Sequence, residues 1–282
     1  MNAESCSRRR VWSLGLCAGL LLGGAAGPAR ALPLGARLEP LAVQSRSMKV
    51  GTALLVEFYR QLPERSEDEA DREWLTRMQA ALNAFQKKVA ERYTEGTLQR
   101  LLESPDVHAR RAAVLALGLI GTMDSNAALA ARLRDEDRQV RQMANDALWS
   151  VWFRGGSEAH SAELQRLLGL RSPAKALAGL DALIRKAPDF AEAYNQRAII
   201  YFRMKEFEKA VADCEKVLQL NPYHYGALSG MGQAHLNLRR PQEALKVFRR
   251  AFEINPNLES VGDAIRALEN ALGEEGTPED KK

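Results

Sequence analysis

A proline that ends a helix returns along this chain at a fixed interval, and that return limits the fold more than any other feature. Pro188, Pro222 and Pro256 stand 34 residues apart, and the last two close the same phrase, hydrophobe-Asn-Pro. Proline has no amide to donate and disfavours helix in the residue before it, so each return stops a helix. A fixed interval of this length marks units that bury their apolar faces only by stacking on one another. No segment alternates apolar and polar residues with the period of two that a half-buried strand needs. The spacing therefore predicts an all-α solenoid of helix-turn-helix units.

Composition supports a globular chain with a leader. The 282 residues are 46% hydrophobic and 27% charged, which is ample for a buried core. Residues 1–31 carry Arg8, Arg9 and Arg10, then an apolar run from Val11 to Ala26, then Ala29-Arg30-Ala31. This is the order of a secretory signal, with cleavage expected after Ala31 and an uncleaved anchor as the alternative. Ser7-Arg8-Arg9 followed by Val11 and Trp12 resembles a bacterial twin-arginine signal, whereas Leu16 before Cys17 argues against a lipoprotein signal. A periplasmic or extracellular bacterial location is the expectation.

The leader also accounts for most of the formal charge of +4. It holds four arginines and one glutamate, so of 40 basic and 36 acidic residues the remainder keeps 36 and 35. A near-neutral chain with no basic stripe lacks the electrostatic footprint of a nucleic-acid binder. Cys6 and Cys17 leave with the leader, and Cys214 alone cannot form an internal disulfide. No later segment is apolar enough to span a membrane.

Residues 32–96 read as a loose tether followed by N-terminal helices. From Met48 to Leu62 a stripe of Val50, Leu54, Leu55, Phe58 and Leu62 predicts a helix that Pro63 stops. Ser66-x-x-Glu69 predicts a capping box at the next helix start, with Leu75, Met78, Leu82 and Phe85 as the buried face. The acids Glu67, Asp68, Glu69 and Asp71 fit complementation of the helix dipole better than a metal site.

Residues 97–156 repeat with an offset of 31. Asp106 overlays Asp137, Ala109 overlays Val140, Arg110 overlays Arg141, Ala113 overlays Ala144 and Leu117 overlays Leu148. An Asp at a helix start accepts free amides, an Arg one turn in can reach an Asp of the neighbouring loop, and alanines let helices approach. These residues, with Ala116 to Gly121, Leu129, Leu133 and Asp135, resemble the short HEAT-like repeat of the phycobilisome-lyase type, whose members mostly bind proteins. Nothing supplies a chromophore site.

Residues 157–272 resemble the tetratricopeptide repeat, which implies that the all-α solenoid is right-handed. The pattern is carried by Tyr194, Ala198, Tyr201, Ala210, Cys214, Val217 and Pro222, then by Leu228, Gly232, His235, Ala244, Phe248, Ala251 and Pro256. One interval earlier a decayed unit keeps Leu164, Leu167, Ala176, Leu180, Leu183 and Pro188 but has His160 and Glu163 where an aromatic and Leu are usual. Ala198 and Gly232 are expected where two helices cross. Leu258, Val261, Ile265, Leu268 and Leu272 predict an amphipathic cap, and residues 273–282 a disordered tail.

The resemblance implies that the first helix of each unit lines a concave groove for a protein or extended peptide, the alternative being a groove that is merely solvated or filled by the HEAT-like part. The positions it assigns are Glu192, Asn195, Ile199, Phe202 and Arg203, then Gly226, Ser229, Gln233, Leu236 and Asn237. A clamp for a C-terminal carboxylate, known in this family, is not expected because Ile199 stands where its second Asn is needed. His108, His160, His224 and His235 form no metal-ligand spacing, and Cys214 occupies a small apolar place. Tyr223-His224-Tyr225 is the one aromatic cluster with the look of a recognition site. The expected function is a non-enzymatic, exported protein-interaction scaffold without catalytic residues, metal or cofactor. The alternative is an envelope-assembly component acting through self-association, as a homo-oligomer with its groove filled by the protein itself.

Overall fold

A computed structural model describes residues 50–66 and 68–273, so the leader, the tether, Glu67 and the C-terminal tail beyond Gly273 lie outside the described residues. Thirteen α-helices and no strands are found among those described: α1 Val50–Arg60, α2 Asp71–Ala90, α3 Glu95–Leu101, α4 Val107–Ile120, α5 Asn126–Ala131, α6 Arg138–Phe153, α7 Glu158–Leu168, α8 Pro173–Lys186, α9 Ala191–Arg203, α10 Phe207–Leu220, α11 Tyr225–Asn237, α12 Pro241–Ile254 and α13 Glu259–Leu272. Each helix packs on its sequence neighbour from α7 onward, as a solenoid requires. The fold is an all-α solenoid.

In the N-terminal part α4 and α6 pack face to face, with α1, α2 and α3 against α4 and the short α5 against α6. Asp106 and Asp137 cap α4 and α6, accepting from the amides of His108 and Val140 at 2.9 Å. Arg110 meets Asp135 through two hydrogen bonds of 3.0 Å, with both side chains buried. The helix-start and Arg-to-loop roles expected of the 31-residue repeat are therefore both present. Close approach of α4 to α6 depends on Gly118, where a Cβ would lie 3.1 Å from Ala147 Cβ.

The start of α2 differs from expectation. Glu69 does accept from the Ser66 amide at 3.4 Å, yet the helix begins only at Asp71. The reason is competition: Arg77 takes both Glu69 carboxylate oxygens, at 2.6 and 3.0 Å, and holds the segment as a turn before the helix. Trp74, not Leu75, leads the buried stripe, followed by Met78, Leu82, Phe85 and Val89.

The C-terminal part keeps the 34-residue period in three dimensions. Gly232 faces Phe248, whose nearest ring carbon lies 2.4 Å from where a Cβ would be. Ala198, Ala210, Ala244 and Ala251 are buried at the helix crossings. The decayed unit still forms a helix pair, and Leu164, Leu167, Leu180 and Leu183 are all in the core. α13 covers the open end through Val261 and the flanking Leu258, Ile265 and Leu268, with Arg249 bonding Glu269 at 2.9 Å. Arg197 ties three helices together, binding Asp213 twice and Asp181 once at 2.7–2.8 Å.

Candidate functional site

The groove positions lie along α9 and α11, which pack side by side. They do not share one environment. Glu192, Asn195, Ile199 and Ser229 are buried, at 1, 3, 4 and 9% exposure. Phe202, Gln233 and Leu236 are half-buried, while Arg203 and Asn237 are exposed. The trough is thus shut where the two helices begin and open where they end.

What shuts it is the N-terminal part of the same chain. Trp149 of α6 lies over Gly226, where a Cβ would come within 2.6 Å of the indole. Trp152 stacks on His224 at 4.2 Å with 22° between the rings. Its indole N–H donates to Asn126 Oδ1 at 2.7 Å, and Asn126 Nδ2 donates in turn to Asn221 Oδ1 at 2.7 Å. The Tyr225 hydroxyl donates to Asn145 Oδ1 at 2.7 Å, and Asn255 reaches the same oxygen at 3.4 Å. Asn257 donates to the Leu133 carbonyl at 2.7 Å and accepts from Arg141 at 3.1 Å. Arg134 adds a hydrogen bond to the Glu253 carbonyl.

Beneath this joint sits a buried carboxylate. Glu192 and His224 are fully buried as side chains, with Nε2 and Oε2 3.0 Å apart. Asn195 and Gln196 donate to Glu192 Oε1 at 2.9 and 2.6 Å. His224 Nδ1 accepts from the Ala227 amide at 3.0 Å and so caps α11. With Nδ1 engaged as an acceptor, Nε2 carries the proton and donates to Glu192. A buried charge needs this many donors to be tolerated. Asn195 is therefore committed inside the molecule, and its amide is unavailable to a ligand.

The aromatic cluster divides in the same way: His224 and Tyr225 belong to the joint, and only Tyr223 is exposed. Asp146, next to Asn145 on α6, is pushed up to about 6 by burial, with the Asn145 hydrogen bond opposing. Burial pushes the Cys214 thiol up to about 12, in keeping with inert core. His235 is buried between helices, and desolvation lowers its pKa. Among the described residues no group of three or more His, Cys, Asp or Glu side chains could hold a metal ion. No described helix is long and apolar enough to cross a membrane.

Sequence reasoning kept filling of the groove by the HEAT-like part as an alternative, but it did not find the residues of the joint. One signal was present: Asn221 and Asn255 precede the two prolines whose loops meet the N-terminal part, whereas the first unit has Ala187 there. Trp149 and Trp152, one turn apart, were a second.

Comparison with known families agrees with this partition. Tetratricopeptide repeat models match residues 191–224 and 225–258, and a HEAT-repeat model matches 65–149. The chain carries HEAT repeats followed by tetratricopeptide repeats. The HEAT match takes in α2 as well as the residues that carry the 31-residue pattern. A TPR repeat-containing protein of Rhizobium etli is 38% identical over 102 residues, 36% of this chain and 50% of that protein. RNA polymerase II-associated protein 3 of Homo sapiens is 34% identical over 87 residues, 29% of this chain and 13% of that protein. The chain thus spans half or less of the length of these relatives. Among solved structures, the first TPR of Spaghetti, bound to an HSP90 peptide, aligns with TM-score 0.38 and 25% identity over 41% of this chain and 91% of that one. In the tetratricopeptide part of this chain, the end of each first helix is the accessible stretch of the groove.

Proposed function

We propose that this chain is a non-enzymatic scaffold that binds a protein through an extended segment lying across the open half of the tetratricopeptide groove. The observation that carries the reading is the division of that groove: Phe202, Arg203, Gln233, Leu236 and Asn237 retain access while the positions nearer the helix starts are sealed by α6. Apolar contact with Phe202 and Leu236 and hydrogen bonds from Arg203, Gln233 and Asn237 suit a backbone in extended form. The test is selection of displayed random peptides on the full chain and on an Arg203→Ala, Gln233→Ala, Leu236→Ala variant of unchanged helicity. A common motif enriched on the first and lost on the second is expected. Equal enrichment on both removes the groove from the reading.

Residues 1–31 support export from a bacterial cytoplasm to the periplasm or beyond. Amino-terminal sequencing of the protein recovered outside the cytoplasm should begin at Leu32. A second reading is an assembly component that self-associates. Light scattering over a hundredfold concentration range separates the two, since a constant monomer excludes self-association.

A further inference from the structure

The turn between the two helices of each unit holds the same residue types in register. Arg171, Lys205 and Arg239 recur at the 34-residue interval, each preceded by an apolar side chain, Leu170, Met204 and Leu238. All three cations are exposed, and none makes an ion pair or a side-chain hydrogen bond with a described residue. Met204 is half exposed, an uncommon state for a large apolar side chain here.

Two of the cations stand where a side chain is costly. Lys205 and Arg239 have φ of 63° and 58°. Each occupies the left-handed position that ends the first helix, closed by Glu206 N–H to Tyr201 O and by Arg240 N–H to His235 O, both at 2.9 Å. Glycine adopts that conformation without penalty, whereas an L side chain does not. The fold would be served better by glycine, so folding does not account for a cation there.

We infer that this row of three cations, with the exposed Met204 among them, is a docking edge for an acidic, apolar-containing segment of a protein partner. The inference rests on the scaffold reading and adds the partner's chemistry. Unpaired cations repeating along one edge complement carboxylates along an extended chain. Leu170 and Leu238 pack against the core, and the exposed Met204 beside Lys205 favours a polypeptide over a phosphate backbone. The edge borders the open ends of α9 and α11 and is untouched by the joint that seals their beginnings.

The probe is a fluorescein-labelled ten-residue peptide of glutamate and leucine, with a lysine and leucine peptide and a ten-nucleotide single-stranded RNA as comparisons, on the full chain. Anisotropy should show binding of the acidic peptide that weakens as salt rises. An Arg171→Glu, Lys205→Glu, Arg239→Glu variant should lose at least about tenfold in affinity. Reversing the exposed second-helix cations Arg185, Lys246 and Arg250 should leave it within about twofold. The decisive variant is Lys205→Gly with Arg239→Gly, which should melt at a higher temperature and yet bind more weakly. No binding of the acidic peptide, equal binding to the reversal variant, or equal binding of RNA each overturns the proposal. The displayed-peptide selection described above stands or falls separately, because its variant leaves all three cations in place.

Discussion

At the residue scale, two glycines show how far a missing Cβ governs this architecture. Gly232 has Phe248 against it inside one unit, and Gly226 has Trp149 against it between the two parts of the chain. The first was legible: a small residue at a helix crossing is part of the repeat pattern. The second was not, because the residue that demands it lies 77 positions earlier, in a different repeat type. Phe248 is wholly buried and cannot swing aside. Gly232→Ala should therefore destabilise by about 1–3 kcal/mol, the usual cost of overpacking, read as a lower urea midpoint with unchanged slope. Gly226→Ala should cost less in global stability, because the indole it meets is only partly buried, but should shift the tryptophan emission. His224 shows a residue serving three ends at once. It stacks on Trp152, caps α11 and donates to Glu192.

At the scale of elements, α6 is the helix with two faces to satisfy. One packs on α4 within the HEAT repeats, and the other closes the tetratricopeptide groove through Asn145, Trp149 and Trp152. Asp146 sits at that second face, next to Asn145 and near the Tyr225 hydroxyl, with its pKa raised from 3.8 to about 6. A carboxyl raised on folding favours the protonated native state. Its penalty is absent below about pH 4, grows as pH rises to 6 and is complete above that. Asp146→Asn should therefore flatten the pH dependence of stability between 4 and 6 and raise stability at pH 7 by about 1–2 kcal/mol. Urea midpoints at pH 4.5 and 7 measure both, and an unchanged slope between them refutes the assignment. The displaced start of α2 is a lesson at the same scale. Ser66 and Glu69 form half of the expected box, but Arg77, eight residues on from Glu69, claims the carboxylate.

For the whole molecule, the question is whether the two repeat types fold as one unit. Three of the four tryptophans, Trp74, Trp149 and Trp152, lie in the HEAT part, and Trp12 falls within residues 1–31, expected to be removed on export. Tryptophan emission therefore reports one half, while far-ultraviolet circular dichroism reports both. The joint of Asn126 with Asn221, Trp152 with His224, Tyr225 with Asn145 and Asn257 with Leu133 couples the halves. Coincident urea transitions by the two probes are expected for the native chain. Asn221→Ala combined with Trp149→Ala should separate them, the HEAT part melting first. Coincidence that survives this double change would show that the joint contributes little.

The period of the prolines, the small residues at crossings, the Asp caps and the amphipathic last helix are local or nearest-neighbour features. They belong to interactions within one repeat or between adjacent ones, so the sequence by itself determined the all-α stack, its two repeat types and its cap. The burial of Glu192 and Asn195, the plugging of Gly226 and the fate of His224 and Tyr225 arise from a joint whose contacts join residues up to 124 positions apart, as Asn257 is from Leu133. No periodicity encodes such a contact, because it depends on how far the solenoid turns before its second part comes round to meet the first. Only the tertiary structure decided that half of the groove is closed and which edge is left free.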